Sequence, residues 1–209
     1  RQEIRMLDIK QRDAFFVAAR TMQNGPQPNR YDEFVRVHHQ VTGYAHNGPL
    51  FLPWHRAFLY QFERALQDID PSVTMPYWDW SFDSQLPVMS PVFGADYCGG
   101  NGRAGDGCVA DGWLASYRPY YPKPDCLRRN FDFSTKTRNA FHSVDAVQQL
   151  INTKKTFDSF TRTLENTLHA RVHTAIGGQM STMYSAADIL FFLHHGMVDK
   201  IWAMWQRTH

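Results

Sequence analysis

The chain has 209 residues, 43% of them apolar and 20% charged, and its 22 basic side chains nearly balance 20 acidic ones. That length buries a sizeable core as one domain, and the composition excludes disorder. A net charge of +2 leaves no basic footprint for nucleic acid, and no apolar run approaches the roughly 20 residues a bilayer span needs, so nucleic-acid and membrane functions are set aside.

Helical periodicity runs from Ile9 to Met22 and stops at the turn signal Asn24-Gly25-Pro26. Asn29 is placed to cap a second helix, with Asp32 and Glu33 in its first turn and an end near Val41. Residues 43–49 read as loop, and Pro53 suits the first turn of a third helix over residues 54–69. From residue 71 to 124 the character changes. Five of the eleven prolines and seven of the thirteen glycines fall between Pro87 and Pro124, which predicts a long irregular loop with a few short strands.

Cys98, Cys108 and Cys126, the only cysteines, lie in that stretch without a CxxC pair, which removes zinc-ribbon and thioredoxin readings. Their clustering predicts one disulfide, one leftover thiol and an oxidising, secretory compartment. Helices resume over residues 143–150 and 156–176, the second ended by Gly177-Gly178. Ser185-Ala-Ala-Asp188 reads as a capping-box variant opening the last helix, which carries Trp202 and Trp205. The expected fold is mainly α, a helix bundle with a loop-rich insert, and residues 1–209 are taken as a single domain.

Ten histidines carry the functional signal. His169 and His173 stand four apart on a predicted helix, so both imidazoles leave one face and are able to share a metal. His195 and Asp199 repeat that spacing, with the carboxylate placed to orient a ligand's free N–H. The adjacent His194 and His195 differ by about 100° in direction, so at most one of them serves a given metal. His55 lies one turn inside a helix N-terminus, where the partial positive charge disfavours imidazolium and keeps a lone pair free.

Absences then select the metal. There is no Glu-x-x-His for a di-iron carboxylate site and no His-Glu-x-x-His for a zinc peptidase. An all-imidazole donor set suits copper, the divalent ion it binds most tightly, with zinc left open by ligand type alone. Two groups of three histidines, one from each half of the chain, make a binuclear site.

These residues also carry a family resemblance. The stretch His46-Asn-Gly-Pro-Leu-Phe51-Leu-Pro-Trp54-His55-Arg56-Ala-Phe58-Leu-Tyr-Gln-Phe62-Glu63 resembles the first copper motif of the tyrosinase family. Asp188-Ile-Leu-Phe-Phe-Leu-His194-His195-Gly-Met-Val-Asp199-Lys-Ile-Trp202 is similar to the second. Met75-Pro-Tyr-Trp-Asp-Trp80 and His169-Ala-Arg-Val-His173-Thr-Ala-Ile-Gly-Gly178 also fit, so the match runs from about residue 31 to the end.

The resemblance implies a four-helix bundle holding two copper ions. His38, His46 and His55 would bind the first and His169, His173 and His195 the second, leaving His39, His142 and His194 as non-ligands. It implies oxidation of o-diphenols to o-quinones by dioxygen, with or without prior o-hydroxylation of monophenols. Small phenols, catechols and dioxygen are thus the implied partners. Members that hydroxylate monophenols often hold a basic water between a Glu and an Asn. Glu165 is the catalytic candidate for the first role, while Ala170 stands at the second position. Met183 falls where plant relatives place a gating Phe, and Tyr44 stands where many relatives carry a cysteine linked to the second histidine. The chain begins at Arg1 without Met, as expected of a processed form, and ends at His209 without a plug domain over the pocket. The rival implication is a dioxygen carrier like molluscan haemocyanin, which shares the motifs but usually adds a β-domain and the cysteine link.

Overall fold

Local capping chemistry sets the first helices. Asp8 and Gln11 close a capping box at the head of α1 (Ile9–Met22), and Asn29 and Asp32 do the same for α2 (Arg30–Gln40). The computed structural model describes residues 1–134 and 140–209. A four-residue helix, α3 (Thr42–Ala45), occupies part of the expected loop, and α4 (Phe51–Gln67) starts three residues earlier than the proline indicated. Pro53 still lies within its first turn, where no intrahelical N–H is needed. After the insert come α5 (Val144–Thr153), α6 (Phe157–Thr163), α7 (Ala170–Ile176) and α8 (Ile189–Thr208). Thr156 caps α6, and a π-helical turn over Leu164–His169 joins α6 to α7 in one continuous rod.

Four rods surround the centre: α2, α4, α6–α7 and α8. The first half of α8 is buried on every side, from Ile189 through Val198, as expected of a helix at the middle of a bundle. Aromatic side chains lock it to its neighbours. Phe192 stacks on Phe62 of α4 with centroids 3.5 Å apart, and Phe34 of α2 meets both rings edge-on. The fully buried rings of Phe62 and Phe192 each contribute about 1.5–3 kcal/mol. Gly196 lets the segment before Trp78 cross α8 closely, since a Cβ there would sit 2.9 Å from Tyr77 Cβ. The crossing is sealed by the Trp78 N–H donating to the Leu193 carbonyl at 3.0 Å.

The insert is irregular, as its proline and glycine content predicts. Among the described residues the expected strands reduce to three isolated bridges, pairing Glu3 with Tyr77, Gly102 with Val109 and Cys108 with Arg128. One disulfide joins Cys108 to Cys126, and Cys98 is the leftover thiol, buried and with its pKa pushed up by that burial. Tyr117 donates to the buried Asp32 carboxylate at 2.6 Å, tying the insert to the head of α2.

The start of α8 corrects the sequence reading. Ser185–Ala187 form a 3-10 turn, and Asp188 itself is the N-cap, its backbone extended and its carboxylate accepting from Leu190 N. The same carboxylate pairs with Arg129 at 2.7 and 2.8 Å, both side chains fully buried. Arg129 also donates to the Gly99 and Gly100 carbonyls of the insert. Removing one partner strands a buried charge. Asp188→Ala is therefore expected to cost about 3–5 kcal/mol in urea unfolding, and the double variant with Arg129→Met considerably less. A cost within the error of wild type would show that the pair does not hold the insert.

Candidate metal centre

The rods bring two groups of histidines to the centre of the bundle. His38 of α2, His46 just after α3 and His55 of α4 form one, and His169, His173, His194 and His195 form the other. Within each group one side-chain nitrogen per residue lies within 4.8 Å of every other. Neither group contains a carboxylate or thiol. The groups abut, because the His55 and His195 rings stack in parallel with centroids 4.2 Å apart.

Five of these imidazoles are aimed by one kind of bond. Three donate from Nδ1 to a carbonyl four residues earlier: His46 to Thr42 at 3.2 Å, His55 to Phe51 at 2.8 Å and His169 to Glu165 at 2.9 Å. Two reach across the fold, His38 to Met183 at 2.9 Å and His173 to Met180 at 2.6 Å. With Nδ1 so engaged, Nε2 is left as the lone-pair nitrogen. The Nε2 atoms of His38, His55 and His169 are buried and have no hydrogen-bond partner. Burial disfavours the imidazolium form throughout, holding His38 down to about 3 and His173 to about 4, with His55, His169, His194 and His195 well below their ordinary value. Neutral, unpartnered, converging nitrogens would be a costly defect in a core without a cation to receive them. This donor set fits copper.

An open cleft of about 190 Å³ reaches this centre, walled by His38, His46, His169 and His173, with Ala170 and Met183 nearer the surface. Glu165 does not wall it. One carboxylate oxygen accepts from the Asn47 N–H at 2.7 Å, made possible by the left-handed backbone of Asn47, and the other is buried without a partner. Burial raises the Glu165 pKa, against the Asn47 bond and Arg162.

The geometry overturns one expectation, the orienting role of Asp199. Asp199 touches no imidazole. It accepts from Arg56 and Arg1, and the Arg56 guanidinium carbon lies 3.7 Å from the Trp202 ring centroid, so two guanidinium groups draw the carboxylate outward while His195 Nδ1 stays unpartnered. Met183 lines the cleft with a half-buried side chain, and its carbonyl also orients His38. His39 lies off the centre, stacked on Tyr184, and His142 packs by α5, away from both groups. Sequence reasoning missed the carbonyls of Met180 and Met183. The only signal for them was the glycine pair that turns the chain back after α7.

That turn is sterically exacting. Gly177 and Gly178 have φ of 69° and 55°, and a Cβ on Gly178 would collide with the Arg128 carbonyl. Gly178→Ala is expected to lower stability by about 1–3 kcal/mol and to reduce copper retention, because it displaces the carbonyls that aim His38 and His173. Thermal unfolding and copper content per chain check this, and an unchanged pair of values would contradict it.

The fold and the site together define a binuclear, imidazole-bound copper protein, and comparison with known proteins gives the same answer. A family model for the common central domain of tyrosinase matches residues 28–208. The tyrosinase of Streptomyces glaucescens is 41% identical in an alignment 205 positions long that covers 86% of this chain and 73% of that protein. The polyphenol oxidase of Thermothelomyces thermophila, solved as a G292N mutant, superimposes with a TM-score of 0.83 at 29% identity, covering 99% of this chain and 69% of that one. A functional unit of octopus haemocyanin shares the fold, with a TM-score of 0.73 at 23% identity over 99% of this chain and 53% of that one. The chain belongs to the tyrosinase family, oxidoreductases that carry two copper ions and act on phenols with dioxygen. Among the described residues no helix is long and apolar enough to cross a membrane.

Proposed function

We propose that residues 1–209 form one catalytic core that oxidises o-diphenols to o-quinones at the expense of dioxygen. The first copper is assigned to His38, His46 and His55, and the second to His169, His173 and His195. The observation that carries this reading is the convergence of two sets of neutral imidazoles on a cleft open to solvent. His195 is favoured over His194 because its Nε2 lies 3.4 Å from His173 Nε2 and its ring stacks on His55, facing both groups. His194 instead lies flat against His169 and near Trp80, a packing position. The Cys108–Cys126 disulfide supports an oxidising compartment.

When bound, the copper pair supplies the two-electron exchange between dioxygen and the diphenol. The protein contributes orientation, a walled cleft and a proton acceptor. His38, His46, His169 and His173 place the ring, and Met183 covers its outer edge. Glu165 takes the role of base through its unpartnered oxygen, reached by one intervening water since it does not line the cleft. Prior hydroxylation of monophenols is the harder step here, because the methyl group of Ala170 offers such a water no second partner.

Oxygen uptake with catechol, beside copper analysis, tests the assignment. His173→Ala should hold one copper instead of two and lose oxidase activity, and His195→Ala should do the same, whereas His194→Ala should keep both ions. Full copper and normal turnover in His173→Ala would refute the ligand set. Glu165→Gln should retain two coppers and slow turnover about a hundredfold. An unchanged rate would remove Glu165 from the reaction. Reversible dioxygen binding without catechol oxidation would favour a carrier.

A further inference from the structure

A second depression of about 550 Å³ lies beside the metal cleft, and the two share Thr182 and Met183 as a common wall. Their sizes differ in a telling way. The cleft, at about 190 Å³, is smaller than the roughly 300–1,000 Å³ of ordinary small-molecule sites, while the groove falls within that range. Pro119, Tyr121, Pro122, Met183 and Tyr184 give the groove an apolar face. That face is held in place, since Tyr184 stacks on His39 at 4.3 Å and its hydroxyl lies 3.2 Å from His39 Nε2. Of the cations in the groove, Arg128 is engaged by Asp125 at 2.9 Å. Lys123 is exposed and has no acidic partner among the described residues.

We propose that this groove is a specificity subsite for phenols whose ring carries an apolar arm ending in a carboxylate. The ring occupies the cleft, the arm passes Met183 and lies along Tyr121 and Pro122, and the carboxylate meets Lys123. The apolar face gains by covering the arm, and the free ammonium group selects its terminus. This inference rests on the phenol oxidation proposed above.

The test compares dihydroxyphenylpropanoic acid with its methyl ester, two substrates with the same ring and spacer, by oxygen uptake on the copper-loaded chain. The acid should be favoured about threefold in kcat/KM, the scale of one exposed ion pair. That ratio should vanish in Lys123→Ala and invert in Lys123→Glu, a reversal that a merely structural lysine would not produce. A wild-type ratio of one, or a preference unmoved by either substitution, overturns the subsite. If neither substrate is oxidised, the oxidase reading fails, and the groove is judged separately by titration with phenylpropanoate, which has no oxidisable hydroxyl. Tighter binding to wild type than to Lys123→Glu supports the subsite, and equal binding overturns it.

Discussion

The centre depends on hydrogen bonds from Nδ1 of histidine to backbone carbonyls. An imidazole has two chemically similar nitrogens, and a ring free to rotate would present either one. Fixing Nδ1 as donor makes Nε2 the inward nitrogen and sets the ring plane. Three of these bonds are local, closing over one helical turn at His46, His55 and His169. The other two come from the returning segment after Gly178, whose Met183 and Met180 carbonyls hold His38 of one group and His173 of the other. A single stretch of backbone therefore sets the relative aim of the two groups.

The insert contributes to the same end from further away. It has almost no regular structure, yet it is anchored at buried points rather than draped over the bundle. Arg129 links the Gly99 and Gly100 carbonyls to Asp188, the residue that starts α8. Tyr117 links it to Asp32 at the start of α2. Both anchors grip helix N-termini, so the insert fixes where the rods bearing His38 and His195 begin. The arrangement relies on the penalty for breaking a buried ion pair rather than on its net contribution when intact.

Much of this was legible in the chain itself. The cap at Asn29 and the end of α1 at Met22 follow from short-range chemistry, which acts the same way in any context. The pairing of His169 with His173 follows from helical geometry. Other features depend on partners distant in sequence. Asp199 stands on the expected face of α8, but Arg1 and Arg56 compete for it, and neither is predictable from spacing. The carbonyls of Met180 and Met183 are not marked by residue type, since every residue has one, and only Gly177-Gly178 hints at the turn that brings them back. Ser185 resembled a cap, and only the extended backbone of Asp188 shows where α8 starts. His194 and His195 are alike in type and burial, so their separation rests on what each ring faces.

The π-helical turn over Leu164–His169 has a consequence for how this molecule tolerates change in length. Such a turn takes up one residue more than an α-helical one. Its presence between α6 and α7 sets the phase of His169 and His173 against the face by which α6 packs on the bundle. Loss of one residue from the turn would let the rod relax to regular α geometry, rotating one part against the other by about 100°. Either the imidazoles or the packing face of α6 would then point the wrong way. Of its six side chains only that of Asn166 is exposed, so the turn is constrained both in what it presents inward and in the number of residues it holds.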